Sequence, residues 1–261
     1  MRLRGFNFRK IDFPGLALLQ GLVGLALFIW IWHLIVASGA VPRAFLASPE
    51  ATWNAFVRGV TVGDMREQLL GTVMRMINGW LLASLVGIAL GSAIGISETL
   101  RNYLRPTLAF ARALPASAVV PVAIALVGLT PGMVLGVIVF GSIWPTLLAT
   151  VQGFAMVDPR LVEVSRALHL SRFAFIWKIG LPNAVPDIIT GMRLSLTVAL
   201  ILAIVGEMLA GQEGLGKAIL LAARMFRAPD LYAGVVLLGL VGLVSSYGLL
   251  LVERRVARWR R

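Results

Sequence analysis

From Ala113 to Val157 the chain reads ALPASAVVPVAIALVGLTPGMVLGVIVFGSIWPTLLATVQGFAMV, without one Asp, Glu, Lys or Arg. A helix needs about 20 apolar residues to cross a bilayer. This stretch is long enough for two crossings, and the turn-forming cluster Gly128-Leu-Thr-Pro-Gly132 divides it. Further runs lie on either side. Leu16 to Ala37, Met76 to Ser97 and Leu231 to Val252 are free of charge, and Ala184 to Ala210 holds only Asp187, Arg193 and Glu207. The spacing predicts an all-α polytopic membrane protein with six transmembrane helices, at about 16–37, 70–97, 105–128, 132–155, 184–210 and 231–252.

Composition points the same way. Hydrophobic residues make up 59% of the 261 and charged residues 14%, against about 25% charged in soluble domains. So little polar surface cannot cover so much apolar volume in water, which excludes an ordinary soluble enzyme, a disordered chain and a coiled coil. There is no cysteine, so disulfides, Cys-ligated zinc and thiol catalysis are excluded as well. The first apolar run could be a signal peptide, with Ala37-Ser-Gly-Ala40 as its cleavage site. It exceeds the ~7–15 residues of such a core and reads as a retained helix.

The net charge is +12. With the N-terminus inside, the inner segments carry Arg2, Arg4, Arg9, Lys10, Arg101, Arg105, Arg160, Arg166, Arg172, Lys178, Arg254, Arg255, Arg258, Arg260 and Arg261. The outer ones carry only Arg43, Arg58, Arg66, Lys217, Arg224 and Arg227. Cytoplasmic loops collect Lys and Arg, so the excess states orientation, with both termini cytoplasmic, and not nucleic-acid binding. Residues 1–15 form a cytoplasmic N-terminus and 253–261 a basic cytoplasmic tail. The loop 38–68 lies outside. Within it Ser48-Pro49 opens a short amphipathic helix near Glu50 to Val60.

The second span carries Gly79, Ala83, Gly87, Gly91 and Gly95 at every fourth position, one stripe of small residues that lets another helix approach closely. The third span holds Pro115 and Pro121, each of which removes a backbone donor. Irregular backbone at membrane depth is tolerated only inside protein or against a water-filled path, so these prolines mark either a packing kink or a pathway. The segment Gly211 to Ala218 imitates a phosphate loop, but Ala218 replaces the hydroxyl residue that magnesium needs, and a membrane helix precedes it. No segment of the chain reads as an ATP site. Catalysis has no support either. His33 and His169 stand apart, and Asp187 and Glu207 would be roughly 30 Å apart on one helix.

The longest inner loop, 156–183, reads as two short helices. Asp158-Pro159 opens the first, Arg160 to Leu168, with Leu161, Val164 and Leu168 on one side. Ser171 caps the second, Arg172 to Ile179, which ends ahead of Pro182. On pattern alone this is either a knob for another protein or a helix lying on lipid. Its residues carry a resemblance. Glu163-Val164-Ser165-x3-His169-x9-Ile179-x-Leu181-Pro182 resembles the E-A-A-x3-G-x9-I-x-L-P signature of the membrane subunits of binding-protein-dependent ABC importers. The spacing matches throughout; Val164-Ser165 replaces Ala-Ala and His169 replaces Gly, and His accepts positive φ better than most non-Gly residues.

Thr72-x2-Arg75-x3-Gly79, Leu114-Pro115, Pro121, Ile189 to Arg193, Glu207-Met-Leu, Gly214-Leu-Gly216 and Asp230-Leu-x2-Gly234 resemble the sulfonate, taurine and nitrate branch. The branch's Trp-Phe-Gly-x-Gly turn is replaced by Leu126 to Thr130. The resemblance implies a core 69–252 in which spans 2 to 6 form the five-helix importer-permease bundle, with the first helix outside it. It implies that Glu163, Val164, Ser165, Leu168, His169, Ile179, Leu181 and Pro182 couple to a partner. The partners implied are two cytoplasmic ATP-binding subunits, which hold ATP and magnesium, a second permease copy as a homodimer, and an extracytoplasmic solute-binding protein. The setting implied is the bacterial inner membrane.

Residues facing the path are read from cost. An intramembrane cation such as Arg193 faces a bundle interior or a water-filled cavity. It would attract an anionic solute, or else pair with Glu207 of a neighbouring copy. Arg75 and Arg112 sit near span ends, where they can snorkel. Ser142, Thr146 and Thr150 form one polar stripe that lines a path or bonds neighbouring helices. With Pro115 and Pro121, Arg193, Ser142 and Thr146 are the candidate path residues. The function expected is the permease subunit of an ATP-driven importer for a small anion, not an enzyme and without its own cofactor. The alternatives are an ion-coupled secondary transporter, an importer permease for a pyrimidine-type vitamin precursor, and a non-transporting scaffold.

Overall fold

In the computed structural model residues 14–256 are described, with side-chain surroundings for 19–255. Arg2, Arg4, Arg9, Lys10, Arg258, Arg260 and Arg261, which carry much of the expected inner charge, lie outside the described residues. Every regular element among the described residues is helical. The order is α1 (Pro14–Ala37), α2 (Pro49–Thr61), α3 (Met65–Gly95), α4 (Glu98–Ala113), α5 (Ala116–Val127), α6 (Pro131–Ala155), α7 (Pro159–Ala167), α8 (Arg172–Phe175), a π turn (Ile176–Gly180), α9 (Leu181–Ala210), α10 (Leu215–Arg224) and α11 (Ala228–Val256).

Helices α3, α6 and α9 form the core. Small residues bring their backbones together. A Cβ on Gly79 would stand 2.3 Å from Ile138 of α6, and one on Gly91 would stand 2.8 Å from the Leu147 carbonyl oxygen. The small-residue stripe is therefore an intrachain seam. Met76, Val134, Ile138, Ala199 and Ala203 fill the space around it. Across the same seam the Trp80 Nε1–H donates to the Met192 carbonyl at 2.9 Å.

Among the described residues five helices are long and apolar enough to cross a membrane, and the bent pair α4 and α5 makes six if it is one broken span. The expected third span is this broken one. It is two helices, α4 and α5, bent by 83° at Leu114-Pro115. Pro115 sits at the N-cap of α5, and Gly128 at φ +77° ends that helix. At 1.5 Å per residue α5 is roughly 18 Å long, short of a full crossing of about 30 Å. The sequence reading underestimated this break because a single Pro kink usually leaves a helix continuous.

Helix α1 stands outside the bundle, with nearly all its described side chains exposed. It is held by the Trp32 Nε1–H, which donates to the Ala47 carbonyl at 2.9 Å, and by His33 against Glu50 at 3.0 Å. Ser48 caps α2 by accepting from the Ala51 N–H at 3.2 Å. Glu50 is held below the usual carboxylate range, first by a hydrogen bond from its own backbone and then by Ser48.

Candidate functional site

The chain segment between α6 and α9 folds as a knob at one end of the core. Asp158 accepts from the Arg160 N–H at 2.8 Å and opens α7, with Pro159 in its first turn. The helix stops at Leu168. His169 turns the chain at φ +50°, and the Leu170 N–H returns to the Ser165 carbonyl at 3.0 Å. This is a left-handed C-terminal cap of the kind usually given to Gly. Ser171 then caps α8 by accepting from the Ala174 N–H at 3.2 Å.

The expected end ahead of Pro182 does not occur. Helix α8 runs through the π turn into α9 without a break, and the Leu181 N–H bonds the Ile176 carbonyl. The wider turn shifts the hydrogen-bond register just before Pro182. Pro182 then falls in the first turn of α9, where its missing N–H does least harm.

The knob is anchored on one side and bare on the other. Phe154, Ala184 and Ile188 form a small core that also takes Phe175, Ile176 and Leu181. A Cβ on Gly180 would stand 2.2 Å from the Phe154 ring. Ser165 is buried and its hydroxyl donates to the Val162 carbonyl at 2.7 Å. Ile179 is half-buried, while Glu163 and His169 are exposed. Leu161, Val164 and Leu168 are all exposed along one face of α7, and Phe173 and Trp177 add to the apolar surface. A cluster of this kind has nothing to pack on within the chain.

The other end of the core holds a cluster that sequence reasoning missed. Glu207 of α9 is fully buried. It accepts from the Thr72 hydroxyl and from the Gly216 N–H, each at 2.9 Å, and is ion-paired with Arg75. Arg75 also donates to the Glu213 carbonyl, and the Leu215 N–H donates to the Thr72 hydroxyl at 2.9 Å. A Cβ on Gly214 would collide with the Glu207 carboxylate at 2.4 Å. The phosphate-loop look-alike thus has a structural origin. Gly211, at φ +66°, caps α9, and Gly214 and Gly216 let the backbone fold onto a carboxylate. Arg75 does not snorkel. The readable signal was Thr72 and Arg75 on one helical face, because a buried carboxylate requires both a cation and donors.

The candidate path residues separate. Ser142 and Thr146 are fully buried, as is Thr150, in the seam of α3, α6 and α9. Ser142 donates to the Ile138 carbonyl at 2.5 Å, Thr150 donates to the Thr146 carbonyl at 2.7 Å, and the Ser195 hydroxyl donates to the Ser142 carbonyl. Helix packing thus places all three hydroxyl side chains inside the seam, off the surface of the chain. Arg193 pairs with Glu253 of α11 in the same chain, and Glu207 is paired with Arg75. Pro115 and Pro121 remain exposed, on the short helix α5. Along α9, Thr190, Leu194, Thr197 and Ile201 form an exposed stripe that the sequence reading did not single out.

With this geometry in view, comparisons with known proteins are informative. Residues 83–261 match the family described as binding-protein-dependent transport system inner membrane component. A protein of Bacillus subtilis named as an aliphatic sulfonates transport permease, SsuC, is 30% identical over 93% of this chain and 88% of its own length. The bicarbonate transport system permease protein CmpB of Synechocystis is 27% identical over 92% of this chain and 89% of its own. The taurine transport system permease protein TauC of Escherichia coli is 24% identical over 90% and 87%. A chain from inward-facing conformations of the MetNI methionine ABC transporter superposes with a TM-score of 0.63 at 16% identity. It covers 74% of this chain and 95% of that one.

Proposed function

The chain belongs to the family of binding-protein-dependent transport system inner membrane components, as a multi-pass permease of an ABC importer and not an enzyme, and from that premise we propose how it couples and what it carries. The family works with ATP-binding and solute-binding partners. The knob at α7 and α8 is the docking element for the ATP-binding subunit. The bare apolar face of Leu161, Val164 and Leu168 carries this reading, together with the signature spacing from Glu163 to Pro182. An amphipathic helix laid in a groove of the partner would cover that face.

Two copies of the chain surround a path in the bacterial inner membrane, with both termini and the knob in the cytoplasm. ATP-driven closure of the two ATPases pushes on each α7. The push passes through the π turn into α9, because α8, the turn and α9 are one continuous rod. Its exposed stripe of Thr190, Leu194, Thr197 and Ile201, with Pro115 and Pro121 of α5, lines the path. The solute is a small anion of the sulfonate, taurine, nitrate or bicarbonate type. An ion-coupled carrier is disfavoured because Glu207, the one fully buried carboxylate among the described residues, is taken up by Thr72, Arg75 and Gly216 of the same chain and faces no open surface.

The test is reconstitution with the companion ATPase and binding protein. Deletion of Arg160 to Lys178 is expected to abolish capture of the ATPase; capture that survives it refutes the docking role. Binding of taurine, alkanesulfonates, nitrate, bicarbonate and pyrimidine precursors to the companion binding protein identifies the solute. Because the chain has no cysteine, His169→Cys gives a single label site. Labelling only from the cytoplasmic side is expected.

A further inference from the structure

Helix α4 is two-sided. Arg101, Arg105 and Arg112 lie along one face at intervals of four and seven, as do Leu108 and Ala109 between them. Tyr103, Phe110 and Leu114 fall on the opposite face and are exposed, Tyr103 at 78% and Phe110 at 70%. The basic face does not pack on the bundle. It borders a cavity of about 710 Å³, closed on the other side by Leu148, Val151 and Gln152 of α6. That volume is in the range of sites for a drug-sized ligand. It lies at the knob end of the core, beside the last turns of α3 and α6.

The charge around this cavity is of one sign. Its lining contains three arginines and no carboxylate. None of the ion pairs among the described residues includes Arg101, Arg105 or Arg112. Arg101 is partly engaged, because it donates to the Gly95 carbonyl at the end of α3. That contact pins α4 to α3 and leaves Arg105 and Arg112 directed to the cavity without partners. Like charges lining one cavity repel one another, and an anion between them relieves that repulsion. Their planar donor pairs match the oxygens of phosphate and related groups.

We infer that the cavity between α4 and α6 is a binding site for a phosphate-type oxyanion, filled by the headgroup of an anionic phospholipid. The oxyanion sits between Arg105 and Arg112, with Arg101 at its edge. Two observations favour a lipid over a free ion. The wall formed by Leu148, Ala149 and Val151 is apolar and suits an acyl chain entering beside a charged head. The aromatic face of α4 is that of a helix seated at a membrane surface, where Tyr and Trp collect and basic pockets hold lipid headgroups. Such a lipid would neutralise the basic face and lock α4 against α6, next to the chain that leaves α6 for the knob. The site is independent of the transported solute and is read by binding alone.

The test uses the full chain, purified in a neutral detergent, with retained lipid read by native mass spectrometry. Phosphatidylglycerol is expected to be retained in preference to phosphatidylcholine. Arg105→Gln combined with Arg112→Gln is expected to lower that retention about tenfold or more, while the two chains stripped of lipid keep the same thermal midpoint. Inorganic phosphate supplies the second arm. Retention of phosphatidylglycerol in millimolar phosphate supports the lipid; full displacement keeps the oxyanion site and overturns the lipid as its occupant. Equal retention of the two lipids by the wild-type chain, or unchanged retention by the double variant, overturns the site.

Discussion

At one end of the helical core Leu168 is left 66% exposed; at the other, Glu207 is fully buried and satisfied by Thr72, Arg75 and Gly216. The two ends solve opposite problems. The cluster at Glu207 closes on itself. Every strong polar group it buries has a partner in the same chain, so its energy goes into holding α3, α9 and α10 together. The knob is left open, and on the docking role proposed for it, its apolar face gains energy when the ATP-binding subunit covers it. Damage to the first region should therefore show up in the fold, and damage to the second in assembly.

The largest effect is expected from the open end. Leu161→Asp with Leu168→Asp puts two charges on a face that must be dehydrated on docking. A charge buried without a partner is very costly, so capture of the ATPase should fall by more than about a hundredfold. The thermal midpoint of the lone permease should change far less than capture does, since both side chains are largely exposed within the chain. A lowered midpoint with intact capture would reverse the roles assigned to the two ends.

Next comes the closed end. Glu207→Ala leaves Arg75, the Thr72 hydroxyl and the Gly216 N–H without their acceptor. Breaking a buried pair this way costs about 3 kcal/mol or more, read as a lower thermal midpoint in detergent and reduced yield. Arg75 is partly exposed and can rehydrate, so Arg75→Gln should cost less than Glu207→Ala. The opposite order would mean that Arg75 contributes more than compensation of the carboxylate.

The seam that joins the two ends should respond at an intermediate level. Gly91→Ala places a methyl group 2.8 Å from a backbone oxygen of α6, which cannot rotate away. Overpacking of this kind costs about 1–3 kcal/mol. Gly136, where a Cβ meets nothing within 4 Å, serves as the control, and Gly136→Ala should be neutral or slightly stabilising.

The same contrast explains what could be read in advance. Spans, the small-residue stripe and the docking loop are local patterns, carried by uncharged runs, by every-fourth spacing and by fixed intervals from Glu163 to Pro182. The closed cluster depends on Thr72 and Arg75 meeting Glu207, which is distant in the chain, and no local period encodes that meeting. The pieces were each visible, in Thr72-x2-Arg75 and Gly214-Leu-Gly216, but their convergence needed the fold. Ser142 and Thr150 illustrate the same limit. A polar stripe on a membrane helix reads identically whether it faces water or, as here, hydrogen-bonds carbonyls within a seam. The sharp bend before α5 and the continuity through Pro182 fell on either side of one ambiguity, because a Pro can break a helix or be absorbed near its start.

The smallest effect, and the sharpest probe of the open end, lies at His169. Its φ of +50° is in the left-handed region, where a non-Gly residue carries a cost of roughly 1–2 kcal/mol. His169→Gly relieves that cost but also frees the unfolded chain, so the midpoint should move by less than about 0.5 kcal/mol. His169→Val adds a β-branched side chain at the same φ, where such residues are true outliers. It should cost about 1 kcal/mol or more and tilt α7 relative to α8. Nothing in the closed cluster touches this turn, so the midpoint should fall by much less than in Glu207→Ala, while capture of the ATPase weakens. If Gly and Val behave alike in capture, the turn only connects the two short helices. If Val alone weakens it, the angle set by His169 is part of what the partner recognises.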